Sequence, residues 1–307
     1  VRDAVLAALD CGTNSTRLLI ETADGEVLAR EMRITRLGQG VDATGRLADE
    51  AVERTLGVLR SFRALMDDAG VTEGRLVATS AARDAANGSS FLAEASTTTG
   101  VTAEILSGDE EGELSYNGAM ADLEPAIGDD VVLDIGGGST ELVLRRADTL
   151  YAHSMQVGCV RVTERVLLSD PPSPAELKSA RVMVDEALER ALVAIPALNE
   201  LQPQSRLIGL AGTVATLVMV DRTLRDYDRS LVHHHWLSLE VIRRWLHVLA
   251  AEPAAARALR PGMVPGREDV IVGGLVVLVA TLERLGLDGC LSSEADILDG
   301  LISSQRR

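Results

Sequence analysis

The apolar positions of this chain form short dense runs separated by turn residues and longer stretches with helical spacing. Val5 to Leu9 and Arg17 to Thr22 read as strands, and Val27 to Ile34 as a third, reached through an Asp24-Gly25 hairpin turn. The glycine-punctuated stretch Leu37-Gly38-Gln39-Gly40 with Thr44-Gly45 reads as a loop. From Asp49 to Met66, apolar residues at Val52, Leu56, Leu59, Phe62 and Met66 fall on one helical stripe. Leu76 to Thr79 and Val101 to Leu106 read as further strands, with a helix from Ser89 to Ser96 between them. The second half has the same plan. Val131 to Leu133 and Leu142 to Leu144 flank a glycine turn, and Leu150 to Val157 follows as a strand. Ser173-Pro174-Ala175-Glu176 is a capping box with proline at the first helical position, opening a helix to about Ile195. Leu207 to Leu210 is a strand, and Ser238 is placed to cap a helix from Leu239 to Leu249. Val270 to Leu282 is an apolar run of 13 residues, short of the about 20 that span a bilayer, and reads as a buried helix. Leu291 is expected to close the second sheet, and Ser293 to cap a final helix from Glu294 to Ser304. Strands alternating with helices imply an α/β protein.

Two of the strand–turn–strand units carry the same sequence. Residues 9–20 read L-D-C-G-T-N-S-T-R-L-L-I and residues 133–144 read L-D-I-G-G-G-S-T-E-L-V-L, identical without a gap at six of twelve positions. Chance gives about one, so the chain contains an internal duplication. One such turn is compatible with an ordinary hairpin. Two copies that both keep an aspartate, a glycine and Ser-Thr argue for a phosphate-binding loop, because glycines let an anion approach the backbone amides. The copies differ in charge at one position, Arg17 in the first and Glu141 in the second.

Length and composition set limits on this picture. A chain of 307 residues is near the size limit of a single core, which favours two domains. The expected division is residues 1–124 and 125–293, with a C-terminal helix over 294–307 packing back on the first, and the junction between Leu123 and Asp130. A net charge of −16 and an aromatic content of 2% oppose binding to nucleic acid or to an anionic membrane. Lys178 is the only lysine, so 29 of the 30 cationic residues are arginines. Cys11, Cys159 and Cys290 are too few and scattered for a disulfide framework or zinc site. With no signal peptide visible, a cytoplasmic location is expected.

Further stretches complete the pattern: T-S-A-A-R-D-A at 79–85, S-G-D-E-E-G-E-L-S-Y-N-G at 107–118, V-G-C-V-R-V-T-E at 157–164 and G-L-A-G-T-V-A-T at 209–216. With the two glycine turns, in this order, they resemble the exopolyphosphatase / guanosine pentaphosphate phosphohydrolase family of the actin-like ATPase superfamily, over essentially the whole chain. The chain looks like the short form, without the C-terminal helical domains of longer members. The resemblance implies two actin-like (ribonuclease H-like) domains with an interdomain cleft, polyphosphate or pppGpp as substrate, a magnesium requirement with manganese as an alternative, and a homodimer. It implies that Glu111, the second of the adjacent glutamates in the 107–118 motif, is catalytic. It places Asp134, Gly136, Gly137, Gly138, Ser139, Thr140 and Glu141 at one phosphate loop, and Asp10, Gly12, Thr13, Asn14 and Ser15 at the other. Arg83 matches an arginine near the active site, Arg17 and Arg267 look like further phosphate contacts, and Gly212-Thr213 corresponds to a loop that lies beside the nucleotide in actin-like kinases.

Removing a terminal phosphoryl group requires an in-line water and compensation of spreading negative charge. In this reading Glu111 is the general base, Glu141 holds the water or a hydrated Mg²⁺, and Asp10 and Asp134 anchor the metal through hard oxygen ligands. The loop amides and Arg83 hold the terminal phosphate. Glu110 and Glu113, in the first turn of the same helix, are expected to serve the helix dipole. His233-His234-His235 is read as structural, because three adjacent side chains fan out along either a helix or a strand. Cys159 is read as a small core residue. Three activities compete with polyphosphate hydrolysis: hydrolysis of the 5′-γ-phosphate of pppGpp, an actin-like small-molecule kinase, and a non-catalytic nucleotide-dependent scaffold.

Overall fold

A computed structural model describes residues 4–124 and 126–306. Pro125, within the expected junction, lies outside the described residues, as do residues 1–3 at the N-terminus. The chain divides into two units, one of residues 1–118 with 296–307 and one of residues 119–295.

The first unit runs β1 (Val5–Cys11), β2 (Ser15–Thr22), β3 (Val27–Ile34), α1 (Val41–Thr44), α2 (Asp49–Asp68), β4 (Glu73–Ala78), α3 (Ser80–Asp84), α4 (Gly88–Thr99), β5 (Ala103–Ile105) and α5 (Gly108–Ala119). Its strands lie in the order β3-β2-β1-β4-β5, with β1 antiparallel to β2 and parallel to β4. Leu6 to Cys11 are all buried, which is why β1 reads as an unbroken apolar run rather than an alternating one. Successive side chains still go to opposite faces. Leu9, Leu18 and Ile20 pack with Leu59, Phe62 and Met66 of α2 and Phe91 of α4, whereas Leu6, Ala8, Leu19 and Val77 lie on the other face.

The second unit runs β6 (Asp130–Ile135), β7 (Thr140–Arg146), β8 (Thr149–Met155), α6 (Cys159–Val166), α7 (Pro174–Ala194), β9 (Arg206–Leu210), α8 (Ala211–Asp221), α9 (Arg229–Val232), β10 (Trp236–Ser238), α10 (Leu239–Ala250), α11 (Ala254–Arg257), α12 (Ile271–Leu285) and β11 (Gly289–Ser292). The chain then returns to the first unit as α13 (Ile297–Gln305), whose Ile297, Leu298, Leu301 and Ile302 cover the Leu6–Val77 face. The second sheet has the order β10-β11-β9-β6-β7-β8. Read from its β8 end, it repeats the first sheet strand for strand and adds β10 outside β11. Each sheet therefore has three antiparallel strands followed by two parallel ones, and the duplicated sequence occupies the same hairpin in both.

Several local readings hold. Ser173 and Glu176 form the reciprocal capping box of α7, Ser238 accepts a hydrogen bond from the Val241 amide at the start of α10, and Ile271 to Leu282 of α12 are buried throughout. Among the described residues, no helix is long and apolar enough to cross a membrane. Other readings are corrected. Leu291 does not close the sheet, because β10, only three residues long, pairs outside β11. Ser293 does not cap the last helix; its hydroxyl is taken up locally with Ala295. The cap is Asp296, which has an acidic partner three positions on, Asp299, to close a capping box. The helix α6, which starts from Gly158 without a side-chain cap, is not among the elements read from the pattern.

Candidate active site

In the first unit the turn from β1 to β2 is closed by the Gly12 amide donating to the Ser15 carbonyl at 3.0 Å. The turn is backed by the residues after β3. The Gly38 amide donates to the Thr13 carbonyl at 2.8 Å, and the Thr35 and Arg36 amides donate to the Asn14 carbonyl at 3.0 and 2.9 Å. An N–H and C=O of one trans peptide point in opposite directions. The amides of Asn14 and Ser15 are thus aimed away from this backing segment. Gly38 has to be glycine: a Cβ there would come 2.4 Å from Thr13 Cγ2 and 2.9 Å from Ala81 Cβ of α3. The glycine-punctuated stretch, read from sequence only as a loop, is what brings the turn and α3 together.

Asp10 and Arg17 are opposite each other in the hairpin register. Asp10 is 4% exposed, and Arg17 donates from Nε and Nη2 to its Oδ2 at 3.0 and 2.7 Å. Arg17 also pairs through Nη1 with Asp296. Burial raises the Asp10 carboxyl above the usual range, the Arg17 guanidinium opposes that rise, and Asp296 adds to it. Among the described residues, Asp10 Oδ1 and Asn14 Nδ2 are buried without a hydrogen-bond partner, an arrangement that is costly unless a ligand completes it.

The second unit repeats this construction with different parts. Asp134 and Glu141 are opposite each other across β6 and β7, at 7% and 1% exposure. The Gly136 carbonyl accepts from the Cys159 amide at 2.9 Å, and the Gly137 carbonyl from those of Val160 and Arg161 at 2.9 and 3.1 Å. These are amides that a helix leaves without internal partners, so the first turn of α6 clamps the loop carbonyls. By the same peptide geometry the amides of Gly137 and Gly138 are aimed away from α6. Gly158 permits the contact, since a Cβ there would lie 2.4 Å from the Gly137 carbonyl oxygen. Ser139 and Thr140 are buried, and the Thr140 hydroxyl donates to the Val157 carbonyl at 2.5 Å. Ser154 of β8, opposite Glu141, donates its hydroxyl to Glu141 Oε1 at 2.6 Å. Sequence reasoning missed Ser154, which belongs to no motif.

Glu111 is on the first turn of α5 and 8% exposed. Its neighbour Glu110 reaches back to the Ser107 amide at 2.9 Å, and that hydrogen bond with the Ser107 hydroxyl holds its carboxyl below the usual range. The two adjacent glutamates therefore separate into a capping residue and a buried carboxylate. Arg83, at the end of α3, donates from Nη1 to Glu111 Oε2 at 3.3 Å and to the Leu106 carbonyl at 2.8 Å. Its Nη2 is buried without a partner among the described residues, leaving a donor beside Glu111. Helix α5 is fixed by close approach to α13: a Cβ on Gly118 would lie 1.9 Å from the Asp296 carbonyl oxygen, and one on Gly300 would lie 2.1 Å from that of Leu114.

Gly212, Thr213 and Arg267 also come together, within the second unit. A Cβ on Gly212 would lie 1.8 Å from Arg267 Cζ, so the guanidinium lies on the bare glycine. Arg267 and Thr213 are buried, and Ala211, at the turn from β9 into α8, has φ +66°, a left-handed conformation that strains a residue with a Cβ. The Cys159 thiol packs here. Burial pushes it up, and the Arg267 charge and a hydrogen bond with Thr213 oppose that. Gly273 and Gly274 of α12 let these parts meet, since Cβ atoms would lie 2.7 Å from the Cys159 carbonyl and 2.3 Å from Thr213 Oγ1.

Two of the three adjacent histidines do approach each other. His234 has φ +58°, and its ring stacks on that of His233 with centroids 3.7 Å apart. Both face Asp122, His233 Nε2 at 2.8 Å from Oδ2 and His234 Nε2 at 3.6 Å from Oδ1. Together they form the one His/Cys/Asp/Glu group among the described residues close enough to hold an ion. However, His233 Nδ1 accepts the Glu294 amide at 3.0 Å. The neutral ring then carries its proton on Nε2 and donates it to Asp122, leaving no lone pair for a metal. The carboxylates at the glycine loops, by contrast, are hard oxygens of the kind divalent cations take, and Asp10 Oδ1 is partnerless among the described residues.

Comparison with known proteins places the chain in one family. Residues 19–306 match the Ppx/GppA phosphatase family. Exopolyphosphatase 2 of Mycobacterium tuberculosis is 43% identical over 319 residues, covering 97% of this chain and 98% of that protein. The crystal structure of an exopolyphosphatase-like protein superposes with a TM-score of 0.91 at 34% identity, covering 99% of each chain. That of an Aquifex aeolicus member of the Ppx/GppA family does so with a TM-score of 0.80 at 30% identity, covering 98% of this chain and 97% of that one. Likeness along nearly the full length has one meaning: the chain belongs to the Ppx/GppA phosphatase family.

Proposed function

We propose that this protein is an exopolyphosphatase, which hydrolyses the terminal phosphoanhydride of inorganic polyphosphate with a divalent cation, Mg²⁺ or Mn²⁺, and releases orthophosphate. The observation that carries the reading is the second glycine loop. Its carbonyls are clamped by α6, its Gly137 and Gly138 amides are aimed the other way, and Asp134 and Glu141 are opposite each other at its base. Amides suit phosphate oxygens and paired carboxylates suit a cation. The likeness to a mycobacterial exopolyphosphatase at 43% identity supports the same activity.

In this mechanism the Gly137 and Gly138 amides of the second loop and Arg267 bind phosphate, and Arg83 Nη2 offers a further donor beside Glu111. Water attacks the terminal phosphorus in line with the bridging oxygen. Glu111 takes the proton from the water as the new P–O bond forms, and the bridging P–O bond breaks with its electron pair going to the shortened chain. Asp134 with Glu141 in the second loop, and Asp10 in the first, would offer oxygen ligands to a divalent cation, which neutralises charge on phosphate oxygens when bound. Ser154 fixes the rotamer of Glu141 through its 2.6 Å hydrogen bond.

The test is orthophosphate release measured side by side on tripolyphosphate, long-chain polyphosphate, pppGpp and ATP with Mg²⁺. The expected result is the highest kcat/KM on an inorganic polyphosphate. Preference for pppGpp would transfer the activity to the guanosine nucleotide. Release from none of the four, or phosphate appearing on an added acceptor in phosphorus-31 spectra, would overturn hydrolysis.

A further inference from the structure

We propose that Asp296, the cap of α13, is a positioning residue for the first loop: it shares Arg17 with Asp10 and so makes that loop a seat for a divalent cation rather than for bare phosphate. The inference rests on the metal-dependent reading above and deepens it.

The first hairpin, taken alone, would pair Asp10 with Arg17 as a neutral couple, and Arg17 would be a candidate to grip phosphate. The chain brings in a third charge 279 positions later, the Asp296 carboxylate, on the other side of the guanidinium. Arg17 uses Nε and Nη2 on Asp10 Oδ2, at 3.0 and 2.7 Å, and Nη1 on Asp296 Oδ2. The Arg17, Asp10 and Asp296 side chains are 18%, 5% and 10% exposed, so the three charges act on one another with weak solvent screening. Two carboxylates against one guanidinium leave one net negative charge. The acceptor this trio leaves unused is Asp10 Oδ1, which is buried without a hydrogen-bond partner among the described residues. A polyanion would be repelled by it, whereas a cation would be drawn to it and could carry the phosphate.

Asp296 is itself rigidly placed. Its Oδ1 accepts the Leu298 amide and its own amide donates to Asp299 Oδ2, both at 2.9 Å. Asp299 in turn pairs with Arg30 at 2.5 Å. The C-terminal helix thus reaches the loop through its cap, and Arg17 is the strut between them.

The experiment measures Mn²⁺ binding by loss of the free-ion signal in electron paramagnetic resonance, on the full chain and its variants without substrate. Asp296→Asn keeps a side chain that caps helices about as well as aspartate but removes the charge. It is expected to melt within a few degrees of the wild type and to bind Mn²⁺ about tenfold more weakly, a loss consistent with removing one weakly screened charge. In an Asp10→Asn background the same change is expected to have no further effect, since neighbours acting through one another are not additive. Asp299→Asn, which removes the ion pair with Arg30 but keeps the Arg17 contact, is expected to lower Tm and leave Mn²⁺ affinity unchanged. The proposal fails if Asp296→Asn binds Mn²⁺ like the wild type, if its loss persists in the Asp10→Asn background, or if Asp299→Asn produces the same loss. Phosphate release by the wild type with Mn²⁺ separates the two readings. Release with unchanged Mn²⁺ affinity in Asp296→Asn removes only this role, and binding without any release removes the activity and this role with it.

Discussion

Asp10 faces Arg17 in one hairpin and Asp134 faces Glu141 in the other, so a single residue difference makes one facing pair neutral and the other doubly acidic. These four residues were legible because everything that defines them lies within a dozen positions of sequence. Their partners were not. Ser154 comes from a neighbouring strand and Asp296 from 279 residues away, and neither belongs to a repeated motif. Arg17 illustrates the consequence: its sequence context reads as a phosphate contact, but its guanidinium is engaged by two carboxylates. Arg267 is the opposite case, for it lies on Gly212 at the turn read from sequence as functional. A methyl group at 212 would meet the end of a flexible side chain rather than backbone, so Gly212→Ala is expected to fold with little change in Tm and to push the guanidinium aside. If Arg267 holds phosphate, kcat/KM on polyphosphate should fall about tenfold or more, the scale of one charge-assisted hydrogen bond. Unchanged kcat/KM would return Arg267 to a structural role.

The helices divide into those that announce themselves and those that do not. The start of α7 was readable because a capping box is a local code, and the structure adds to it. Glu176 accepts hydrogen bonds from Ser169 and Ser173, which hold its carboxyl at about 2 against the ordinary 4.5. The folded protein thus favours the ionised form. This contribution is complete above about pH 4.5 and is lost as pH falls toward 2. Glu176→Gln is expected to lower Tm at neutral pH and to flatten the decline in Tm across that acid window; a decline as steep as in the wild type would contradict it. Helix α6 could not be read this way because its start is capped by another loop's carbonyls, not by its own side chains. The pairing of α5 with α13 is also tertiary. A methyl group on Gly118 would meet the Asp296 carbonyl, and backbone cannot swing aside. Gly118→Ala should therefore cost about 1–3 kcal/mol, measured by denaturant unfolding, and a variant as stable as the wild type would show that α5 and α13 can separate without penalty.

Across the whole molecule, the duplication seen in twelve residues extends to two sheets with the same strand order. The α/β class and the repeated hairpin followed from apolar runs and glycines. The extra edge strand β10 did not, because three residues carry no periodicity. A net charge of −16 makes a polyanionic substrate depend on local donors and bound cations, and the outward Gly137 and Gly138 amides of the second loop are donors of that kind. The account comes down to Glu111, the buried carboxylate that the Ser107–Glu110 cap leaves beside Arg83. Its most direct test is steady-state orthophosphate release from polyphosphate by Glu111→Ala, with Tm measured on the same preparation. The expected result is an unchanged Tm and a rate at least about 100-fold lower, the scale of a lost general base. Near-normal turnover by the folded variant would contradict the account.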